Sequence, residues 1–99
     1  MNRATFSGKF VSETKTLTFD FLSFLALGES ISTASVSAAV YSGTDSSPSS
    51  LISGSATISG SKVTQKVTGG VVGVVYLVTC SVTTSTGQAL TYSGYQVVL

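Results

Sequence analysis

Residues 72–82 alternate with period two: Val72, Val74, Tyr76, Val78, Cys80 and Val82 hold the even positions, and Thr79 and Ser81 fall between them. Side chains of a strand point alternately to its two faces, so this spacing predicts a strand with a continuous apolar row on one side. Its length and density make it the expected central strand of an all-β domain. Residues 16–21 repeat the pattern, with Leu17, Phe19 and Phe21 facing one way and Thr16, Thr18 and Asp20 the other. That is the signature of a half-buried antiparallel strand. Residues 34–41 place Val36, Ala38 and Val40 inward. Residues 62–67 set Val63, Gln65 and Val67 against Lys62, Thr64 and Lys66, so that two lysines guard an exposed face.

The breaks between these runs carry as much information as the runs. Phe6 and Phe10 share a parity around Gly8, which predicts a weak or edge strand. Leu22, Phe24, Leu25 and Leu27 abandon alternation in a stretch too short for a stable helix, so a single turn plugging one end of the domain is expected. Gly28-Glu29-Ser30 closes it, and Ile31 re-enters the core. Residues 42–50 are nearly pure loop signal and are expected to form a mobile exposed loop. Short strands around 51–52 and 56–58 follow, divided by Ser53-Gly54 and ended by Ser59-Gly60. Gly69-Gly70 turns the chain into the central strand, and residues 85–88 read as a hairpin turn.

In the last strand, 89–99, Leu90 and Tyr92 are even whereas Tyr95, Val97 and Leu99 are odd. An extra residue at Ser93-Gly94, a β-bulge, would restore one inward face. About seven short strands with no helix predict an antiparallel β-sandwich. Tyr76, two residues before Val78 on the inward row, fits the tyrosine corner of immunoglobulin-like sandwiches, although the cysteine pair and core Trp of antibody domains are missing. The expected fold is therefore all-β, an immunoglobulin-like antiparallel β-sandwich of about seven strands, with residues 1–99 forming a single domain.

Composition agrees. Of 99 residues, 19 are Ser, 14 Thr and 13 Val, and Thr and Val suit a pleated surface. Only nine residues are charged and the net charge is +1, so there is no basic stripe to neutralise phosphates and nucleic acid is not an expected partner. So little charge also gives little self-repulsion, which points to a chain packed against other chains. No apolar run approaches the roughly 20 residues of a membrane span. The start lacks a signal-peptide apolar region, so synthesis and folding in a cytoplasm are expected.

No constellation of chemistry-bearing residues emerges. One cysteine excludes an internal disulfide, and the absence of histidine removes both an activating base and the commonest metal ligand. Cys80, on the inward row, reads as a core thiol. Two Ser-x-x-Lys matches, at Ser12 and Ser59, are expected by chance in so Ser-rich a chain and lack the companion motifs. Gly69-Gly70-Val71-Val72-Gly73 precedes a strand instead of a helix, so it is a turn and not a phosphate loop. Asp20 and Glu29 are too few to hold calcium. The expected catalytic, cofactor and metal sites are none.

The succession Leu17-Thr18-Phe19-Asp20-Phe21, Leu25, Gly28-Glu29-Ser30-Ile31, Val36 to Val40, Gly69-Gly70, Gly73, Tyr76-Leu77-Val78-Thr79-Cys80 and Thr83-Thr84-Ser85-Thr86-Gly87 resembles small phage and prophage structural proteins described as fiber-tail adaptors. The resemblance covers roughly residues 6 to 90. It implies an immunoglobulin-like fold and a non-enzymatic virion component that connects or decorates the tail or neck. The implied partners are other tail or neck proteins and further copies of the chain in a symmetric assembly, without nucleic acid or membrane. Phe6, Tyr41, Tyr92, Tyr95, Val98 and Leu99 are the expected interface residues, the tyrosines because they combine apolar area with a polar tip and the last two because an apolar chain end suits docking. A capsid decoration or cement protein and a host-glycan-binding module are the alternatives.

Overall fold

Alternation becomes strand where the apolar row of the ladder finds a second layer to pack on. The computed structural model describes the backbone of residues 2–99 and the side chains from Thr5 onward. Seven strands follow one another: β1 (Asn2–Thr5), β2 (Thr14–Asp20), β3 (Ile31–Ser42), β4 (Ile52–Ser59), β5 (Lys62–Thr68), β6 (Val75–Thr84) and β7 (Ala89–Val97). Two short 3-10 turns, Leu22–Phe24 and Pro48–Leu51, are the only helical pieces among the described residues.

Six of the strands make two antiparallel sheets of three, β7-β6-β3 and β2-β5-β4. The antiparallel framework is thus six strands and not the expected seven or so. β1 is an addition that runs parallel to β7, completing the order β1-β7-β6-β3. Setting the second, fifth and fourth strands against the third, sixth and seventh is the layering of an immunoglobulin-like sandwich. β6 is interior to its sheet, as its apolar row required.

The core lies between the sheets. Leu17, Phe19 and Phe21 from the β2 side and Val63 and Val67 of β5 face Val74, Tyr76, Val78, Cys80 and Val82 of the β6 side, all buried. Phe19 stacks edge-on against Phe6 and Tyr92, with centroids 5.4 and 5.8 Å away, and so joins the two layers. Burying each such side chain stabilises by roughly 1.5–3 kcal/mol.

Three polar residues are buried for identifiable reasons. β4 leaves the ladder between Ser53 and Thr57, and the Gln65 amide donates to the carbonyls of Ser53 and Gly54 there. Two carbonyls that the irregular segment withdraws from the ladder are thereby bonded by a side chain instead of a strand. Gln96 acts on the N-terminal strap, donating to Ser7 O at 2.9 Å, and Lys15 donates to the same carbonyl. Lys9 is fully buried. Its amine donates to Gly69 O at 2.6 Å and Phe10 O at 2.8 Å, and its backbone bridges the end of β7.

Several expectations are corrected. The weak strand is residues 2–5, and Phe10 lies outside it with 58 % of its surface exposed. Val72 is exposed and precedes β6, which begins at Val75. The paired short strands around 51–58 are one strand, β4, containing the irregularity just described. Of the expected apolar plug, Phe24 and Leu25 pack on the core, whereas Leu22 and Leu27 are exposed.

β7 has no bulge at Ser93-Gly94. Its pairing with β6 runs without a shift from Thr83↔Ala89 to Val75↔Val97. The inward row is therefore Leu90, Tyr92, Gly94, Gln96 and Val98. The apparent phase slip arises because two members of that row are not apolar. A side chain at Gly94 would overlap the Phe6 ring, which fills the space itself, and Gln96 is inward to hold the strap.

Candidate interaction surface

Two carboxylates tie loops to the ends of β6. At its start the Tyr76 hydroxyl accepts from Val71 N–H at 2.9 Å and donates to Asp45 Oδ2 at 2.6 Å. The bond back to a backbone group five residues upstream is the tyrosine-corner arrangement. Asp45 adds a partner from the loop that was expected to be mobile, and Asp45 Oδ1 also accepts from Ser47 N–H. That segment then turns through Pro48–Leu51 to bury Leu51, so it is anchored at both Asp45 and Leu51. The bond from Tyr76, then that from Ser47, hold the Asp45 carboxyl below its ordinary range. Burial, reinforced by Asp45, raises the Tyr76 phenol.

At the far end of β6, Glu29 accepts from the hydroxyls of Thr84, at 2.5 Å, and Thr86, and from Ala26 N–H at 2.9 Å. These bonds, Thr84 first, hold its carboxyl low. They clamp the 25–30 loop to the β6–β7 hairpin. The open hollow of ≈ 570 Å³ beside this clamp is lined by Leu22, Leu25 and Leu27, and Glu29 is the single charged group on its wall. With that carboxylate already committed to two threonines, the hollow presents no further charge to a substrate.

Cys80 and Asp20 have structural places. Burial pushes the Cys80 thiol up to about 12, so it stays protonated and unreactive. Asp20 faces outward and caps the following 3-10 turn through Leu22 N–H at 3.0 Å. Among the described residues no three metal-ligating side chains come together, and no helix is long and apolar enough to cross a membrane.

The six expected interface residues divide evenly. Phe6 and Tyr92 are half-buried members of the core, Tyr92 stacking on Phe19, Phe21 and Phe24, and Val98 is 1 % exposed. Tyr92 and Val98 belong to the inward row, Val98 because that row has no bulge, and Phe6 packs over Gly94 of the same row. Tyr41 and Leu99 are 60 % and 53 % exposed. Tyr95 is half-buried on the outer face of β7, with its ring 4.6 Å from that of Tyr41 at 61°. A register slip between Val40 and Ser42 makes Tyr41 the extra residue of a bulge, which brings it beside Tyr95.

Around this pair lies a surface that alternation alone did not single out. β3, β6 and β7 contribute 12, 10 and 9 residues to one sheet without one Asp, Glu, Lys or Arg. Its outer face runs from Tyr41, Tyr95, Leu77, Val75 and Val97 into serines and threonines. By contrast the other sheet places Lys62 opposite Asp20 and Lys66 opposite Thr16 on its outer face. The missed signal was the joint absence of charge from three strands that the topology makes neighbours.

The fold is an immunoglobulin-like sandwich with a tyrosine corner, and one of its sheets holds three neighbouring strands without charge that carry an exposed tyrosine. The residues bearing the resemblance noted above are those that build its core, corner and clamp. Residues 9–95 match the family model Gp77, described as podophage GP4 fiber-tail adaptor protein gp77, and the chain belongs to that family. It is a structural tail component, located in the virion, and as an adaptor it binds other tail proteins. Comparison with curated proteins and with solved structures returned no match.

Proposed function

We propose that this chain is a non-enzymatic connector that docks on another tail protein through the outer face of the charge-free strands β7, β6 and β3, with Tyr41 and Tyr95 at the centre of the contact and Leu99 as a further contact. The observation carrying this reading is the charge-free β3-β6-β7 surface beside a partly exposed tyrosine pair. Burying a charge against a partner costs several kcal/mol unless it is matched, roughly as for any desolvated ion. A surface without charge avoids that cost, and tyrosine is enriched at interfaces while lysine is depleted. Several copies around the tail would add avidity to each contact.

The test compares two variants in assembled particles. Tyr41→Lys with Tyr95→Lys should lower the copies per virion by at least about tenfold, a loss of roughly 1.4 kcal/mol in the contact. Thr16→Lys with Thr18→Lys, on the opposite sheet, should leave incorporation as in the parent, both proteins keeping the parent β-type circular dichroism. Normal incorporation of the tyrosine variant would refute the docking face.

A further inference from the structure

The two sheets expose four edges, and three are blunted. β1 is four residues long, β2 carries Lys15 and Asp20, and β4 is broken by its irregularity at 53–57. Shortness, charge and bulges are the devices that keep edges from pairing with other chains. β3 has none of them over most of its length. It pairs with β6 on one side only, and from Thr33 to Val40 the register is unbroken, with no charge and no proline. Alternate N–H and C=O groups along such a strand face away from its one neighbour. Among the described residues, no turn or side-chain hydrogen bond engages 33–40. The core-side row of this stretch, Ala34, Val36, Ala38 and Val40, is only half-buried.

A row of peptide groups at regular spacing is satisfied by one kind of ligand, another extended backbone. We propose that β3 pairs antiparallel with β3 of a second copy about a two-fold axis, joining two four-stranded sheets into one. This proposal deepens the connector reading and rests on it for the requirement that copies meet.

The choice of a second copy as occupant follows from charge. In a two-fold contact each strand meets itself, so any charge on it lies near a like charge, which destabilises directly opposed positions. Thr33-Ala34-Ser35-Val36-Ser37-Ala38-Ala39-Val40 contains no charge to repel itself. Pairing that keeps side-chain parity sets the half-buried alanines and valines of one copy beside those of the other, and the Ser35 and Ser37 side beside its counterpart. The tyrosine pairs of both copies remain on the outer face of the joined sheet, so the edge and the docking face serve different neighbours.

The experiment uses the purified full chain in sedimentation equilibrium over a wide concentration range. The parent should be a dimer. Ser35→Lys with Ser37→Lys, and Ser35→Glu with Ser37→Glu, both at exposed positions, should each raise the dissociation constant at least about tenfold. An equimolar mixture of the two should restore the dimer, because opposite charges then face each other, and this restoration also shows that both variants are folded. A parent that stays monomeric at all concentrations, variants that associate like the parent, or folded variants whose mixture stays monomeric would overturn the proposal. Cross-links from β3 to a different tail protein in the virion, with the free chain monomeric, would also overturn it and leave the connector reading standing. A dimer in solution with the chain absent from purified virions would support the pairing and refute the connector.

Discussion

The two outer faces of the sandwich are made from the same Ser, Thr and Val alphabet, yet they are suited to different surroundings. On the β2-β5-β4 sheet, threonines alternate with Lys62, Lys66 and Asp20, and the side chains are those of a solvated surface. On the β1-β7-β6-β3 sheet, the three antiparallel strands carry no charge, and two tyrosines lie ring to ring near one end. Strand propensity treats the two sheets alike, since both need β-branched residues. What separates them is the cost of removing charge from water, which matters only where a face is to be covered. The chain has nine charged residues, and their distribution between the sheets tells more than their number.

The largest expected effect comes from the side chain shared by both sheets. Phe19 lies on the inner face of β2 and stacks on Phe6 and Tyr92 from the other layer. Phe19→Ala should destabilise the whole sandwich by about 3–5 kcal/mol, since it leaves a cavity in addition to the lost burial. Urea unfolding followed by circular dichroism and by tyrosine fluorescence should show one shifted transition, both faces being lost together. Separate transitions for the two probes would mean that the sheets are independently stable and that the comparison concerns two units.

Acid should act more locally and more weakly, at the ends of β6. Glu29 and Asp45 have carboxyls lowered from ordinary values of 4.5 and 3.8 by the hydrogen bonds they accept. The unfolded chain therefore binds more protons than the folded one as these groups titrate. Their contribution is complete above the ordinary values and is lost as pH falls through the lowered folded values. Amide exchange at Ala26 and Ser47, corrected for intrinsic rate, should accelerate below roughly pH 4 before the β5 ladder opens. Glu29→Gln should remove the acid response at Ala26 alone. Unchanged protection at both amides down to the global acid transition would show that these clamps do not hold the loops.

Much of the layered architecture was legible because alternation is written in single side chains: Leu17, Phe19 and Phe21, or Val74 through Val82, declare their face individually. Tyr76 was legible as a corner for the same reason. Its partner was not, because Asp45 lies in a Ser-Gly loop whose composition says only that the backbone can turn. Lys9 was illegible, since a lysine ordinarily marks solvent, and its burial depends on carbonyls of Phe10 and Gly69 that only the fold assembles. The misread phase in β7 has a related cause. Gly94 and Gln96 occupy core positions by virtue of what lies across from them, Phe6 and Ser7, and no pattern within the strand reveals an occupant supplied from elsewhere. Of the expected interface residues, Val98 is inward because the row runs on without a bulge, whereas Tyr92 is inward in either phase.

The most direct measurement is residue-level footprinting of the chain free and in assembled virions, reading tyrosine oxidation and lysine acetylation together. The account predicts that Tyr41 and Tyr95 become protected on assembly while Lys62 and Lys66 stay as reactive as in the free chain. Protection of the two lysines with unchanged oxidation of the two tyrosines would contradict it, placing the charged sheet against the neighbouring tail protein.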